Sequence, residues 1–326
     1  MKKAEHTISR RTFMHGVATS ATFVAPRVAF AQNFPAKPIE LVVLFPAGSS
    51  ADVAARSLAD GMGKQLGQPI VVINKPGGGG SIGYKYVQQK PADGHTLVLN
   101  SNSISTVYHS GLTPFDYRAF DAIARVTIES PVIAVKADSP WKDIKSMVAD
   151  VRKRPGMVTV GNSGVGSHTH IYSVAFFQSQ NLEVTHVPFG AAATVPSLLG
   201  GHVDALIQVP GALTALVRSG QLRVLGVLAA SREPTYPEVP TATEQGVAFN
   251  AEMWRGIAAP KGTSAAVVAR LEEALQKTVM SPEFQTQGEK LGFQPSFLPA
   301  REFSSLIAKE DITLADMMKQ YGLKSK

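Results

Sequence analysis

Short apolar runs alternate with longer helical patterns along this chain, and the alternation limits the possible folds more than any other feature. Residues 39–45 form a nearly continuous apolar run, as expected for a strand buried on both faces. A helix opened by Ser50 or Asp52 follows it and ends near Leu66. The pattern then predicts a strand at 70–73, a helix at 81–89 and a strand at 96–99. This βαβαβ order is typical of a parallel sheet with helices on both faces.

The pattern restarts in the middle of the chain. It predicts strands at residues 132–135, 158–161, 184–187, 203–207 and 222–229, with helices at 141–152, 168–179 and 192–199. From Thr263 onward the prediction is helical, at residues 265–279, 282–290 and 302–321. Strand-like segments meet turn formers near 129–131 and 252–255, which indicates two chain crossovers. We therefore expect two α/β lobes around a ligand cleft, each a mainly parallel sheet flanked by helices. Lobe 1 comprises residues 32–130 and 255–326, and lobe 2 comprises residues 131–254.

Residues 1–31 have the pattern of a twin-arginine signal peptide. Paired arginines within residues 9–14 precede a mild apolar stretch at 17–24, and small residues occupy the −3 and −1 positions of a cleavage site before Gln32. Arg27 favours the twin-arginine route over the general secretory one. The alternatives are a basic tail or an uncleaved anchor helix, but this apolar stretch is shorter than the roughly 20 residues that cross a bilayer. The sequence therefore predicts a periplasmic protein that is soluble after cleavage.

Charge and cysteine content exclude several kinds of function. The chain has 32 Lys and Arg residues against 25 Asp and Glu, a net charge of +7, and most of this excess lies in residues 1–31. No basic stripe with interleaved aromatics follows, so nucleic acid is not an expected partner. The chain has no cysteine. That absence excludes thiolate metal sites, iron–sulfur clusters and cysteine nucleophiles.

The loop between the first strand and the first helix is a predicted anion site. A helix N-terminus offers unpaired N–H groups and a partial positive charge, and ligands of open α/β sheets bind beyond the carboxyl ends of the strands. The alternative is ordinary helix capping by Ser50 or Asp52. The candidate ligand contacts in this loop are Ala47, Gly48, Ser49, Ser50 and Asp52.

A second glycine- and serine-rich loop, residues 161–168, occupies the equivalent place in the second lobe. Its candidate contacts are Ser163, Gly166, Ser167 and His168. It is not a nucleophile elbow, because that motif would need a glycine where Val165 stands. His168 and His170 are poorly placed to share a metal, since residues two apart lie on different faces of a helix.

Two further strand ends add candidates. Ser101 and Asn102 follow the third strand, where they either bind a ligand or make a turn. The segment 188–193 opens another helix, and Phe189, Ala191 and Ala192 are its candidate contacts. Trp254, near the second crossover, is either a cleft wall or a core aromatic. Neither a carboxylate pair nor a Ser/His/Asp set is arranged for catalysis at these strand ends.

Residues 78–83 match the letters of the dinucleotide motif G-x-G-x-x-G. A dinucleotide site normally has these glycines in the first βα turn and an acidic residue at the end of the next strand. Here that strand ends in Asn100, and Lys75-Pro76 separates strand from glycines. A tight turn beside the cleft is the simpler interpretation.

At these residues the chain resembles the extracytoplasmic solute receptors of tripartite tricarboxylate transporters, the Bug receptors. The resemblance covers nearly the whole mature chain, and no single motif is specific, but the ordered set is. The matching segments are residues 35–52, Asn74-Lys75-Pro76-Gly77-Gly78-Gly79-Gly80, Pro91-Ala92-Asp93-Gly94-His95-Thr96-Leu97, 153–156, 161–170, 186–189, 199–204, 239–241 and 259–263.

The resemblance implies a two-lobed periplasmic-binding-protein-like fold of type II that closes on a small carboxylate. In this family the two strand-to-helix loops hold the carboxylate from both sides, partly through water. The expected partners are a di-, tri- or aromatic carboxylate and the subunits of a membrane transporter, in transient contact. We expect a monomer with no cofactor, no metal and no catalysis.

The chain also departs from the family pattern. Ser49 and Ser50 stand where glycines are usual, and Phe189-Gly190 stands where Tyr-Lys is usual. Gln208 replaces a frequent acidic residue, which favours a ligand without a positive charge. Gln208 is therefore added to the candidate contacts. The alternative function is a twin-arginine-exported, cofactor-binding enzyme with a nucleotide site at residues 78–83.

Overall fold

A computed structural model describes residues 34–323. The predicted signal peptide lies outside the described residues. The strands, in chain order, are β1 (Ile39–Val43), β2 (Ile70–Asn74), β3 (Thr96–Ser101), β4 (Phe120–Glu129), β5 (Val132–Lys136), β6 (Thr159–Asn162), β7 (Thr185–Pro188), β8 (Ala205–Gln208), β9 (Leu222–Val227), β10 (Met253–Pro260) and β11 (Gln294–Pro299). The α-helices are α1 (Ser50–Leu66), α2 (Ser81–Gln88), α3 (Ser103–His109), α4 (Ile144–Lys153), α5 (His168–Ser179), α6 (Ala191–Leu199), α7 (Thr214–Arg218), α8 (Ala265–Val279), α9 (Pro282–Leu291) and α10 (Ala300–Gln320).

The strands form two sheets, and each sheet mixes parallel and antiparallel pairs. The first has the order β11-β4-β10-β3-β1-β2 and the second the order β7-β6-β8-β5-β9. β1 runs parallel to β2 and β3, whereas β10 runs antiparallel to both β3 and β4. In the second sheet β6 runs parallel to β7 and β8, whereas β5 runs antiparallel to β8 and β9. The two-lobed α/β class is confirmed, but the expectation of mainly parallel sheets is wrong.

The crossovers explain the antiparallel pairs. Met253, the first residue of β10, pairs with Glu129, the last residue of β4. Val132, the first residue of β5, likewise pairs with Gln208 at the end of β8. Each crossing strand therefore starts at the cleft end of the sheet, whereas the strands beside it finish there.

The structure has more β-strands than the sequence pattern predicts. The strand-like crossovers belong to β4 and β10, and β10 is buried along its whole length. Neither α3 nor β11 is predicted, and β11 interrupts the expected helical C-terminus. β11 is an edge strand containing Pro295 and Pro299, with an irregular register against β4, so its sequence lacks a strand pattern.

Apolar side chains on the faces of both sheets form the core. The first sheet packs against α1, α8 and α10 through residues such as Leu58, Leu271 and Phe303. Trp254 belongs to this core: it is 1% exposed and packs edge-to-face on Phe303, with ring centroids 4.9 Å apart. Two apolar clusters cover the second sheet. Within residues 34–323, no helix combines the length and the apolar character needed to cross a membrane.

Candidate functional site

A cavity of about 220 Å³ lies where the strand ends of the two sheets meet. The first sheet and its loops contribute Phe45, Ala47, Gly48, Ser49, Ser50, Ala51 and Arg255. The second contributes Ser163, His168, Ala191, Ala192, Val195, Gln208, Val209, Gly211 and Ala212. We call this the inner cavity. It brings together most of the predicted contacts from the two strand-to-helix loops, together with Gln208.

The first loop is shaped by Asp52, whose carboxylate faces its own loop and not the cavity. It accepts hydrogen bonds from Gly48 N (2.9 Å), Asn74 Nδ2 (2.9 Å) and Arg56 Nε (3.0 Å). Burial works against the charge, but these hydrogen bonds, Arg56 foremost, outweigh it and hold the pKa of Asp52 below its usual value. Asp52 therefore organises the loop without lining the inner cavity.

Ser49 and Ser50 present hydroxyl groups to the inner cavity from the start of α1. Ser49 is the N-cap, and its Oγ accepts from Asp52 N at 3.3 Å. Ser50 Oγ accepts from Arg255 Nη2 at 2.8 Å. Both oxygens already accept a hydrogen bond, so each hydroxyl retains its own proton for a further acceptor.

Arg255, which is not among the contacts predicted from the sequence, is the cationic side chain among the described residues that line the inner cavity. It is 3% exposed, and its Nη2 lies 2.8 Å from Oε2 of the buried Glu129. Its Nε has no hydrogen-bond partner among the described residues. Burial raises the pKa of Glu129 above its usual value, although Arg255 opposes the shift. A lone arginine within the otherwise apolar residues 253–260 is the sequence signal that could have identified it.

On the opposite side, Gln208 orients Ser163. Gln208 Nε2 donates to Ser163 Oγ at 2.9 Å, and Gln208 Oε1 accepts from Val209 N at 2.9 Å. Because Ser163 Oγ accepts from Gln208, its hydroxyl proton is free to donate elsewhere. One donor and one acceptor of the Gln208 amide are thus used within the protein, and the hydroxyl proton of Ser163 remains for a ligand.

His168 lines the inner cavity with an unpartnered ring. It is 3% exposed, and neither ring nitrogen has a hydrogen-bond partner among residues 34–323. Burial, with a smaller contribution from the charge of Arg255, lowers the pKa of His168 to about 3. The imidazole is therefore neutral at physiological pH and offers one N–H donor and one acceptor.

Several predicted contacts lie outside the inner cavity and have structural partners. Ser101 Oγ accepts from Ser103 N at 3.2 Å, and Asn102 bonds Trp254 N at 3.1 Å and Glu310 at 3.0 Å. Ser167 is the N-cap of α5. The carbonyl of Gly166 accepts from Thr106 Oγ1 at 2.6 Å, joining loops of the two sheets.

Phe189 lines a second cavity of about 470 Å³, which we call the adjoining cleft. Its lining shares Phe45, Ser163 and Ala191 with the inner cavity. The remaining lining is Pro46, Pro76, Gly77, Gly78, Gly79, Gly80, Gly164, Val165, Pro188 and Gly190. Phe189 is thus adjacent to the inner cavity without lining it.

The glycine run forms part of a close approach between the two sheets' loops. Gly78–Gly80 is a 3₁₀ turn, and Gly79 has a positive φ of 64°. A Cβ built on Gly79 would lie 2.7 Å from Val165 O and 2.9 Å from Ser167 N. The backbones can therefore meet here only because residue 79 is glycine. This close contact accounts for glycine at position 79, so a nucleotide site is not needed to explain it.

A metal site is not apparent in the described range, where no group of three or more His, Asp or Glu side chains is close enough to hold an ion. His168 and His170 do not converge on one point: His170 Nδ1 accepts from Gly166 N at 3.4 Å, whereas His168 faces the inner cavity. The arrangement can instead bind an acceptor-rich small molecule between two sets of donors.

Comparison with known proteins agrees with this geometry. The family model of the tripartite tricarboxylate transporter family receptors matches residues 54–323. The protein BugT of Bordetella pertussis is 33% identical over 321 residues, which cover 95% of this chain and 97% of BugT. The periplasmic binding protein BugD has a TM-score of 0.84 at 29% identity, covering 90% of this chain and all of BugD. An R. palustris protein solved with adipate has a TM-score of 0.86 at 25% identity, covering 90% and 100% of the two chains.

The relatives match almost from end to end, and the fold, the two-loop cavity and the family model agree. The family and its solved members are solute-binding receptors and not enzymes. This family relationship confirms the prediction that the chain is not an enzyme. The chain belongs to the receptor family of the tripartite tricarboxylate transporters.

Proposed function

We propose that this receptor captures a small carboxylate in the periplasm and delivers it to a tripartite tricarboxylate-type membrane transporter. One observation carries the proposal: the polar lining of the inner cavity is set up to donate. The hydroxyls of Ser49, Ser50 and Ser163 each accept a hydrogen bond from the protein, so each has a proton left for a ligand. A carboxylate, which only accepts hydrogen bonds, is the matching ligand.

Charge in the lining supports the same ligand class. Arg255 provides a buried cation, and among residues 34–323 no carboxylate side chain lines the inner cavity. Glu129, the ion-pair partner of Arg255, is buried and is not among the residues that line the inner cavity. An anion gains from this arrangement, whereas a cationic group has no counter-charge within reach.

The position between two sheets supports a receptor that closes on its ligand. Donors come from α1 on one side and from the loop after β6 on the other, so a carboxylate between them contacts both sides. A ligand held from both sides stabilises the closed arrangement over an open one. The solved relative with adipate is in keeping with a carboxylate in such a site.

A thermal-shift and calorimetry screen tests the proposal with matched ligands. Benzoate, adipate and citrate represent mono-, di- and tricarboxylates, and benzamide and adipamide are the uncharged counterparts. A carboxylate at 100 times its Kd stabilises the folded protein by about 2.7 kcal/mol. We expect at least one carboxylate to bind and its amide to leave the melting temperature unchanged. Equal stabilisation by amide and acid, or binding of none of the acids, would contradict a carboxylate receptor.

A further inference from the structure

Donors and apolar surface are segregated along the ligand space. Of the described residues that line the inner cavity and the adjoining cleft, Arg255 alone carries a positive charge. It lies at the inner end, bonded to Ser50. Among the described residues that line the adjoining cleft, Ser163 has a polar side chain, and all the others are Phe, Pro, Val, Ala or Gly.

The inner cavity is small for a ligand pocket. Its volume of about 220 Å³ is below the roughly 300–1,000 Å³ of typical ligand pockets. The adjoining cleft adds about 470 Å³ and shares Phe45 and Ala191 with the inner cavity. A ligand longer than the inner cavity therefore extends past these two residues into apolar surroundings.

We propose that the preferred ligand is a monocarboxylate with an apolar body. Its carboxylate lies at Arg255, Ser50, Ser163 and His168, and its body runs along Phe45 and Ala191 into the adjoining cleft. This inference rests on the proposed function of the same site. The neutral His168 adds one N–H donor for a carboxylate oxygen, since its two ring nitrogens have no partner among the described residues.

The same segregation disfavours a dicarboxylate. A second carboxylate at the far end of the ligand would enter the adjoining cleft, whose lining in the described part of the chain includes no charged side chain. A second carboxylate there loses part of its hydration and gains no counter-charge, whereas a methyl or phenyl group gains from the same apolar surroundings. An α-ammonium group is disfavoured at the inner end, because Arg255 lies there and the described lining residues include no carboxylate.

Calorimetry with skeleton-matched pairs tests the inference. Hexanoate and adipate have the same six-carbon chain and differ by the second carboxylate, and benzoate and terephthalate form the corresponding aromatic pair. We expect the monocarboxylate of each pair to bind at least tenfold more tightly. The measurement is made on the purified protein, with citrate added as a tricarboxylate.

A charge introduced into the adjoining cleft should reverse the preference. Gly190 has an ordinary φ of −66°, and a Cβ there would meet no atom within 4 Å, so a side chain fits. Gly190→Lys supplies the missing cation and should improve adipate relative to hexanoate at least tenfold. Gly190→Met, of similar length and uncharged, should leave the ratio of the two affinities as it is in the wild type.

The possible failures are distinguishable. A dicarboxylate that binds as tightly as its monocarboxylate partner, or citrate binding where all four fail, would overturn the monocarboxylate assignment while the carboxylate receptor stands. An unchanged ratio in Gly190→Lys would likewise place the ligand body outside the adjoining cleft. Failure of all five acids to bind would overturn the proposed function, and this inference with it.

Discussion

Ser50 Oγ accepts a hydrogen bond from Arg255 Nη2 at 2.8 Å, which joins the start of α1 to the strand that returns from the other sheet. The same nitrogen lies 2.8 Å from Glu129 Oε2. The first turn of α1 is thus connected, through one guanidinium, to the ends of both strands at the crossover. A ligand that contacts Ser50 therefore also lies close to the positive charge of Arg255.

The first prediction concerns the buried ion pair. Arg255→Gln should lower the free energy of unfolding by about 3 kcal/mol, because it leaves Glu129 buried without its partner. Adding Glu129→Gln should recover much of the lost free energy of unfolding, since the double variant removes both charges of the pair. Urea unfolding of the two single variants and the double variant measures the coupling. Strictly additive effects would show that the two side chains do not interact.

The second prediction concerns the close approach at Gly79. Gly79→Ala should weaken ligand binding, because the new methyl group would collide with Val165 O and hold the two loops apart. Gly67→Ala is the matched control: its φ of 69° is similar, but its Cβ would meet no atom within 4 Å. Both variants bear the backbone strain, about 1 kcal/mol. If Gly79→Ala binds as well as Gly67→Ala in calorimetry, the contact is not needed for closure.

The third prediction concerns pH. Burial, with the neighbouring Glu252, raises the pKa of Glu310 to about 7 against hydrogen bonds from Trp254 Nε1 and Asn102 Nδ2. Between the ordinary pKa of 4.5 and 7 the folded state keeps a proton that the unfolded state has lost. This carboxyl group therefore contributes stability below pH 4.5 that is lost as the pH rises through 7.

Glu310→Gln should remove that contribution, on the order of 2 kcal/mol between pH 5 and pH 8. The measurement is the free energy of unfolding at the two pH values for the wild type and the variant. Asp316→Asn, at an exposed position of the same helix, is the control and should follow the wild type. An unchanged pH slope in Glu310→Gln would show that Glu310 titrates normally.

The fourth prediction concerns export, which rests on sequence alone. Replacing Arg10 and Arg11 together by lysine should abolish export of the folded protein if the twin-arginine route is used. Cell fractionation of the wild type and the variant measures the periplasmic yield. Equal yields would indicate the general secretory route.

Local signals in the sequence predicted the elements that carry their own caps. The predicted ends of α5 and α8 are those observed, because Ser167 and Ser264 cap amphipathic or apolar stretches that stop where the periodicity stops. The strand-to-helix loops were predictable for the same reason. Their position at the ends of buried strands follows from the order of the elements.

Long-range pairing was not predictable. Arg255 is placed at the site because β10 inserts between β3 and β4, where it pairs with Ser101 and Thr127. No local pattern encodes that insertion. Asp52 shows the converse. Its position in the loop makes it a candidate contact, but its carboxylate accepts a hydrogen bond from Asn74, which is 22 residues away in the sequence. Sequence reasoning located the loops but not the partners that occupy individual side chains within them.

The central claim is that donors from both sheets hold one carboxylate. Calorimetric titration of the best-binding carboxylate into the wild type, Ser50→Ala and Ser163→Ala tests it directly. A hydrogen bond to a charged group contributes about 1.5–3 kcal/mol, so each variant should weaken binding at least tenfold with little change in melting temperature. Unchanged affinity in either variant would contradict the account, because the hydroxyl from that sheet would then not hold the carboxylate.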